Sequence, residues 1–177
     1  MASQSILKLG DPGLWKGCEI VDDIKAPEII DAIQNLRDTL ADFKEKNGFG
    51  RGIAAPQIGV LKRIIFIDFK KEKISRLMIN QRIVWQSTAK IRMWDDCFSF
   101  PGLLVKVERA REIKVEYLSI DGENCSVAAK GDLSELLQHE IDHLDGILAV
   151  ERAIDGKSFA LRSEWEKHWK GKQGGGK

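Results

Sequence analysis

The stretch QHEIDHLDG, residues 138–146, sets His139 and His143 four residues apart with Glu140 between them. At helical spacing the two imidazoles stand one above the other, a metal-binding pair with a carboxylate attached. On a wheel turning roughly 100° per residue, Leu133, Leu136, Leu137, Ile141 and Leu144 share one face. Ser134, Gln138, Asp142 and Asp145 share the other, Glu140 falls among the leucines, and the histidines run along the edge of the apolar face. A lone carboxylate on a core-facing position is costly unless something pairs with it or it protonates. A nearby divalent cation and its bound water would supply that compensation. Either histidine alone reads as a core residue with satisfied hydrogen bonds; the pair with its glutamate on one amphipathic helix reads as a metal site. Asp132 and Glu135 give a D-x-x-E start resembling a capping box, and Gly146 sits where a C-cap glycine would.

Two histidines need a third ligand. A glycine followed by a third histidine would complete one common zinc-protease pattern, and Gly146 is in step, but the third position is Ala149. Among later candidates Glu151 is very close, Glu164 and Glu166 lie on a surface-like amphipathic stretch, and His168 sits near the chain end. That leaves Cys97, in MWDDCFSFPG (93–102), a mixture of acidic, aromatic and turn residues. A Cys-His-His set suits zinc or ferrous iron and keeps a fourth position open, whereas structural zinc sites are usually closed by four protein ligands.

Outward from this motif, the 177-residue chain fits one domain with a sizeable core. Charged residues make up 31% and apolar ones 43%, and the net charge is +1 with both signs interspersed. Nothing there favours disorder, nucleic acid or an anionic membrane, and no apolar run approaches the roughly 18 residues of a membrane span. No signal-peptide pattern opens the sequence. Three widely spaced cysteines suit a reducing cytosol, with Cys18 and Cys125 read as small buried hydrophobes. Residues 27–46 read as a helix, with Pro27 in its first turn, Ile29, Ile33, Leu36, Leu40 and Phe43 at helical spacing, and Asn47-Gly48 as the stop. Strands are expected over 63–69, 77–85 and 112–120, the last closed by an Asp121-Gly122 turn, and a third helix over 158–170. The order reads as α+β. A single domain over 1–169 and a flexible Gly/Lys-rich tail over 170–177 complete the expected organisation.

Three separated segments resemble one family. GRGIAAPQ (50–57) looks like G-x-G-x-A-A-x-Q, DDCFS (95–99) like E-G-C-L-S, and QHEIDH (138–143) matches Q-H-E-x-D-H, in the order found in peptide deformylases. ILKLGDP (6–12) and the FPG after Ser99 are similar too, so the resemblance spans about Ile6 to Ala153. It implies a single-domain α+β enzyme with antiparallel sheets around the motif helix and a C-terminal helix. Cys97, His139 and His143 would hold one divalent metal ion, Fe2+ by preference with Zn2+ or Ni2+ able to substitute. Glu140 would move protons, while the Gln57 amide and the Phe98 backbone N–H would stabilise an oxyanion. The implied reaction removes the formyl group from the N-terminal methionine of a nascent chain, releasing formate. That places the enzyme in the cytoplasm, with organelle or phage origin left open. The implied partner is the N-formyl peptide or nascent chain, without nucleic acid or membrane, and with room for a transient ribosome contact. An amidase for another N-acyl substrate and a silent peptide-binding homologue are the competing readings.

Five positions depart from the family pattern. Asp95 and Asp96 replace a glutamate and a glycine, and Phe98 replaces a leucine. Arg51, between Gly50 and Gly52, and Glu135, beside Leu136, stand where aliphatic residues ordinarily line the methionine pocket. A side chain at Asp96 would crowd or reorient the peptide. Arg51 and Glu135 would neutralise each other or recognise a polar substrate, giving an altered or broadened first-residue preference, unless both turn to solvent.

Overall fold

A computed structural model describes residues 3–68 and 77–171. Helix α1 (Pro27–Asn47) runs as its apolar spacing predicts and ends at Gly48, whose N–H bonds the Lys44 carbonyl. Behind it lies a five-stranded antiparallel sheet of β1 (Gly52–Ala54), β2 (Ile64–Ile67), β3 (Leu77–Gln86), β6 (Glu112–Leu118) and β7 (Asn124–Lys130), in the order β1-β2-β3-β6-β7. Strands β4 (Lys90–Asp96), β5 (Leu103–Ala110) and β8 (Phe159–Leu161) form a second antiparallel sheet, and helices α2 (Asp132–Leu144) and α3 (Arg162–His168) complete the order.

The run IIFI in β2 shows why the sheet sits where it does. Ile64 and Phe66 pack with Leu36, Leu40 and Ile79 on the α1 side, while Ile65 and Ile67 pack with Leu133, Leu137 and Ile141 of α2 on the other. A strand covered on both faces needs a continuous apolar run instead of an alternating one. Under the smaller sheet, Val105 and Val107 of β5 pack with Leu14, Cys97 and Leu148.

Helix α2 is buried on all sides, polar face included, from Leu133 to Leu144. Its polar residues are occupied. Gln138 donates to the Ala110 carbonyl at 2.9 Å and accepts from the Ala110 N–H at 3.0 Å, and Ser134 also donates to the Ala110 carbonyl. Asp142 is paired with Arg109 and Arg152.

Several sequence expectations are corrected. No capping box starts α2: Gly131 is its N-cap at φ 59°, no side chain caps it, and Glu135 is drawn off to Arg51. Gly146 does end the helix in a left-handed conformation at φ 73°, and a Cβ there would stand 2.7 Å from the Trp15 carbonyl oxygen. The expected helix over 158–170 is strand β8 followed by the shorter α3. Cys18 and Cys125 are half-buried, not buried; they flank the α2 core as free thiols, and burial pushes Cys18 up to about 11. Phe69, at the end of the expected first strand, and residues 172–177 of the expected tail lie outside the described residues.

Candidate metal centre and active site

Helix α2 carries His139 and His143 to the end of β4, where Cys97 follows directly. Cys97 Sγ stands 3.2 Å from His143 Nε2, and one ligand atom from each of Cys97, His139 and His143 lies within 4.8 Å of the others. All three residues are buried. His139 Nδ1 is taken: it donates to a carboxylate oxygen of Asp95 at 3.0 Å, leaving Nε2 for a metal. A carboxylate behind a histidine ligand fixes its tautomer and ring orientation. Burial alone would lower the His139 pKa, but Asp95 overrides it and holds the imidazole well above its usual range. His139 and Arg109 in turn outweigh burial on Asp95, which falls to about 2. His143, with no such partner, is held well below its usual range by burial and by His139.

Glu140 is 3% exposed, and burial raises it to about 7. Its Oε2 has no protein partner, an orphan acceptor beside the histidines. The other oxygen fills the space above Gly52: a Cβ there would lie 2.6 Å from Glu140 Oε1, so only glycine lets β1 approach this close. The motif glycine and the motif glutamate therefore specify one contact.

Gln57 is buried in the short 3-10 turn Ala55–Ile58 after β1. Its Oε1 accepts from the Ala54 N–H at 2.9 Å, which turns Nε2 toward Cys97 Sγ and Ser99 Oγ, each at 3.4 Å. The Phe98 ring stacks on Phe43 with centroids 3.8 Å apart, so its side chain packs in the core. A cavity of about 320 Å³ opens beside these groups, with Gly50, Gly52 and Leu136 in its walls. Strand β1 is the outermost strand of its sheet on this side.

The departing residues also line this cavity. Arg51 Nη2 and Glu135 Oε2 are 2.6 Å apart, and Glu135 is only 5% exposed, so the alternative in which both turn to solvent is not what forms. Burial and Asp95 push Glu135 upward while Arg51 pulls it down. Asp96 turns aside to accept from Arg162 Nη2 at 2.7 Å.

The donor set fits a divalent metal ion: a buried thiol and two imidazoles converge, one imidazole is oriented by a carboxylate, and an orphan carboxylate oxygen waits alongside. The whole chain agrees. Residues 3–159 match the family model described as polypeptide deformylase. The chain belongs to that family. A peptide deformylase of Desulfitobacterium hafniense is 39% identical over 155 residues, covering 86% of this chain and 96% of that protein. One from Carboxydothermus hydrogenoformans is 37% identical over 153 residues, covering 86% and 95%. The peptide deformylase of Synechococcus elongatus, solved in complex with actinonin, superposes with a TM-score of 0.80 at 29% identity, covering 94% of this chain and 86% of that one.

Within the deformylase motifs, sequence reasoning located the three converging donors, Glu140 and Gln57. It missed Asp95 as the partner of His139, Arg109 behind it, and the α3 residues on the cavity wall. Asp95 was visible only as a departure from a motif. Nothing near Arg109 in the sequence announces a buried guanidinium.

Proposed function

We infer that the chain is a metal-dependent hydrolase that removes the N-formyl group from the N-terminal residue of newly made polypeptides and releases formate. The observation that carries this reading is Glu140, a buried carboxylate with one unpartnered oxygen, in contact with Gly52 and flanked by two histidines that converge with Cys97. Cys97, His139 and His143 would hold the ion, with Fe2+ favoured by the family resemblance and Zn2+ or Ni2+ able to replace it. When bound, such an ion supplies Lewis acidity that makes water acidic enough to attack near neutrality. Glu140 takes the proton of the attacking water and returns one to the departing amine, a transfer favoured by a pKa near the working pH. The Gln57 Nε2 amide and the Phe98 N–H receive the developing oxyanion. The peptide lies extended along the open edge of β1. No described helix is long and apolar enough to cross a membrane; a cytoplasmic location is part of this proposal, with organelle or phage origin left open.

The paired Arg51 and Glu135 give the cavity a polar wall where the first substrate side chain enters. We expect a broadened first-residue preference. Formate release from formyl-Met-Ala-Ser by iron-loaded, anaerobically handled protein tests the activity, and no release would overturn it. Replacing the first residue by Lys, Glu or Ala should change kcat/KM by less than roughly tenfold, within the discrimination one apolar side-chain contact provides; a strong Met preference would overturn the broadened pocket. Gln57→Ala should lower kcat about 10²–10³-fold, as for loss of one oxyanion donor. An effect confined to KM would instead make Gln57 a ground-state contact.

A further inference from the structure

Among the described elements, helix α3 is the one at the cavity that none of the motifs includes. Among its described residues none is buried, and seven residues are too few to hold a helix by propensity alone. Arg162, its first residue, is a cation at a helix N-terminus, where the dipole opposes it. Its reason for being there lies in what it touches. Nη2 donates to Asp96 at 2.7 Å, Nε donates to the Pro101 carbonyl at 2.9 Å, and the guanidinium lies 4.9 Å from the centre of the Phe49 ring. The Arg162 N–H bonds the Gly102 carbonyl at 2.9 Å. At the far end, Trp169 packs on Trp94 of β4 with centroids 5.2 Å apart.

These contacts join opposite sides of the cleft. Asp96 and Pro101 flank the segment that carries Cys97, while Phe49 precedes the glycine-rich segment leading into β1, and Phe49, Asp96 and Arg162 all line the cavity. Further along, Trp165, Glu166 and Lys170 line it as well. We propose that α3 is the outer wall of the substrate cleft, latched by Arg162, and that it positions the peptide residues that follow the first. Arg162 is a positioning residue: it also fixes the Asp96 carboxylate against the α3 wall of the cavity.

The proposal rests on the deformylase reading, and a substrate comparison separates the two. Formate release is measured for formyl-Met-Ala-Ser and for formyl-methioninamide, which lacks the later residues. Arg162→Ala should lower the ratio of kcat/KM for the tripeptide over the amide about tenfold, through KM of the tripeptide. Arg162→Lys, which keeps a charge for Asp96 but not the carbonyl bond or the ring contact, should fall between. Trp165→Ala removes wall without touching the latch and should shift the ratio in the same direction. Equal losses on both substrates, or a loss in kcat alone, would overturn the latch while leaving the activity standing. A wild-type chain that releases no formate from either would overturn both.

Discussion

Glu140→Ala is expected to reduce formate release by roughly 10²–10⁴-fold, the range for loss of a positioned general acid–base group. No neighbouring carboxylate stands ready to replace it. Asp95 is held by Arg109 and His139, Glu135 by Arg51, and Asp96 by Arg162. Glu140 alone among these cavity carboxylates has a fully buried oxygen without a protein partner. The loss should fall on kcat, with metal content unchanged, because Glu140 is not among the three converging donors. Glu140→Gln is the sharper test, since it keeps the volume pressed against Gly52 but cannot take a proton. Stability should hold or rise in both variants, because a carboxyl in an apolar setting is costly to bury. Turnover by Glu140→Gln within tenfold of the parent chain would place the base elsewhere.

Helix α1 and the α2 motif were legible because one period runs through many residues: Ile29, Ile33, Leu36, Leu40 and Phe43 in the first, the leucines in the second. Strand β6 was legible because Ile113, Val115 and Tyr117 alternate inward. Strand β7, NCSVAAK, does alternate, with Cys125, Val127 and Ala129 inward, but with residues too small to signal a strand, and the alternation of β4, KIRMWDD, stops after Met93 at Trp94 and two aspartates, so both fall below the usual strand signal. The amphipathic spacing of 158–170 was real, but its first residues gain more by pairing with β5, Leu161 opposite Leu103, than by extending a helix.

The site shows the same division. His139, Glu140 and His143 follow from local spacing, because one helix brings them together, whereas Cys97 lies on another element after β4. Ion pairs are different. Arg51 and Glu135 are 84 residues apart, Asp96 and Arg162 66 apart, and no local rule couples them. Their placement depends on the finished packing of β1, β4, α2 and α3.

Arg109→Met is expected to cost about 3–5 kcal/mol of stability, the penalty for breaking a buried ion pair from one side. Arg109 is 4% exposed, and its guanidinium joins Asp142 of α2 to Asp95 of β4, the latter at 3.1 Å. Methionine fills similar space but leaves Asp95 buried with only His139 as partner, while Asp142 keeps Arg152 at 2.8 Å. Asp95 orients His139, so the same substitution should weaken metal binding about 10–100-fold, the usual effect of disturbing a ligand's hydrogen-bonded partner. Denaturant midpoints and a metal titration read the two effects separately. Arg152→Ala serves as the contrast: its side chain is 45% exposed, and its loss should cost no more than about 1 kcal/mol. Adding Asp95→Asn to Arg109→Met removes the stranded charge and should restore much of the stability, since it is the unpaired charge that is costly. It should not restore metal affinity, because an amide oxygen holds the His139 N–H without making the ring a stronger donor. Recovery of both together would mean that Arg109 acts on the metal site only by keeping the protein folded.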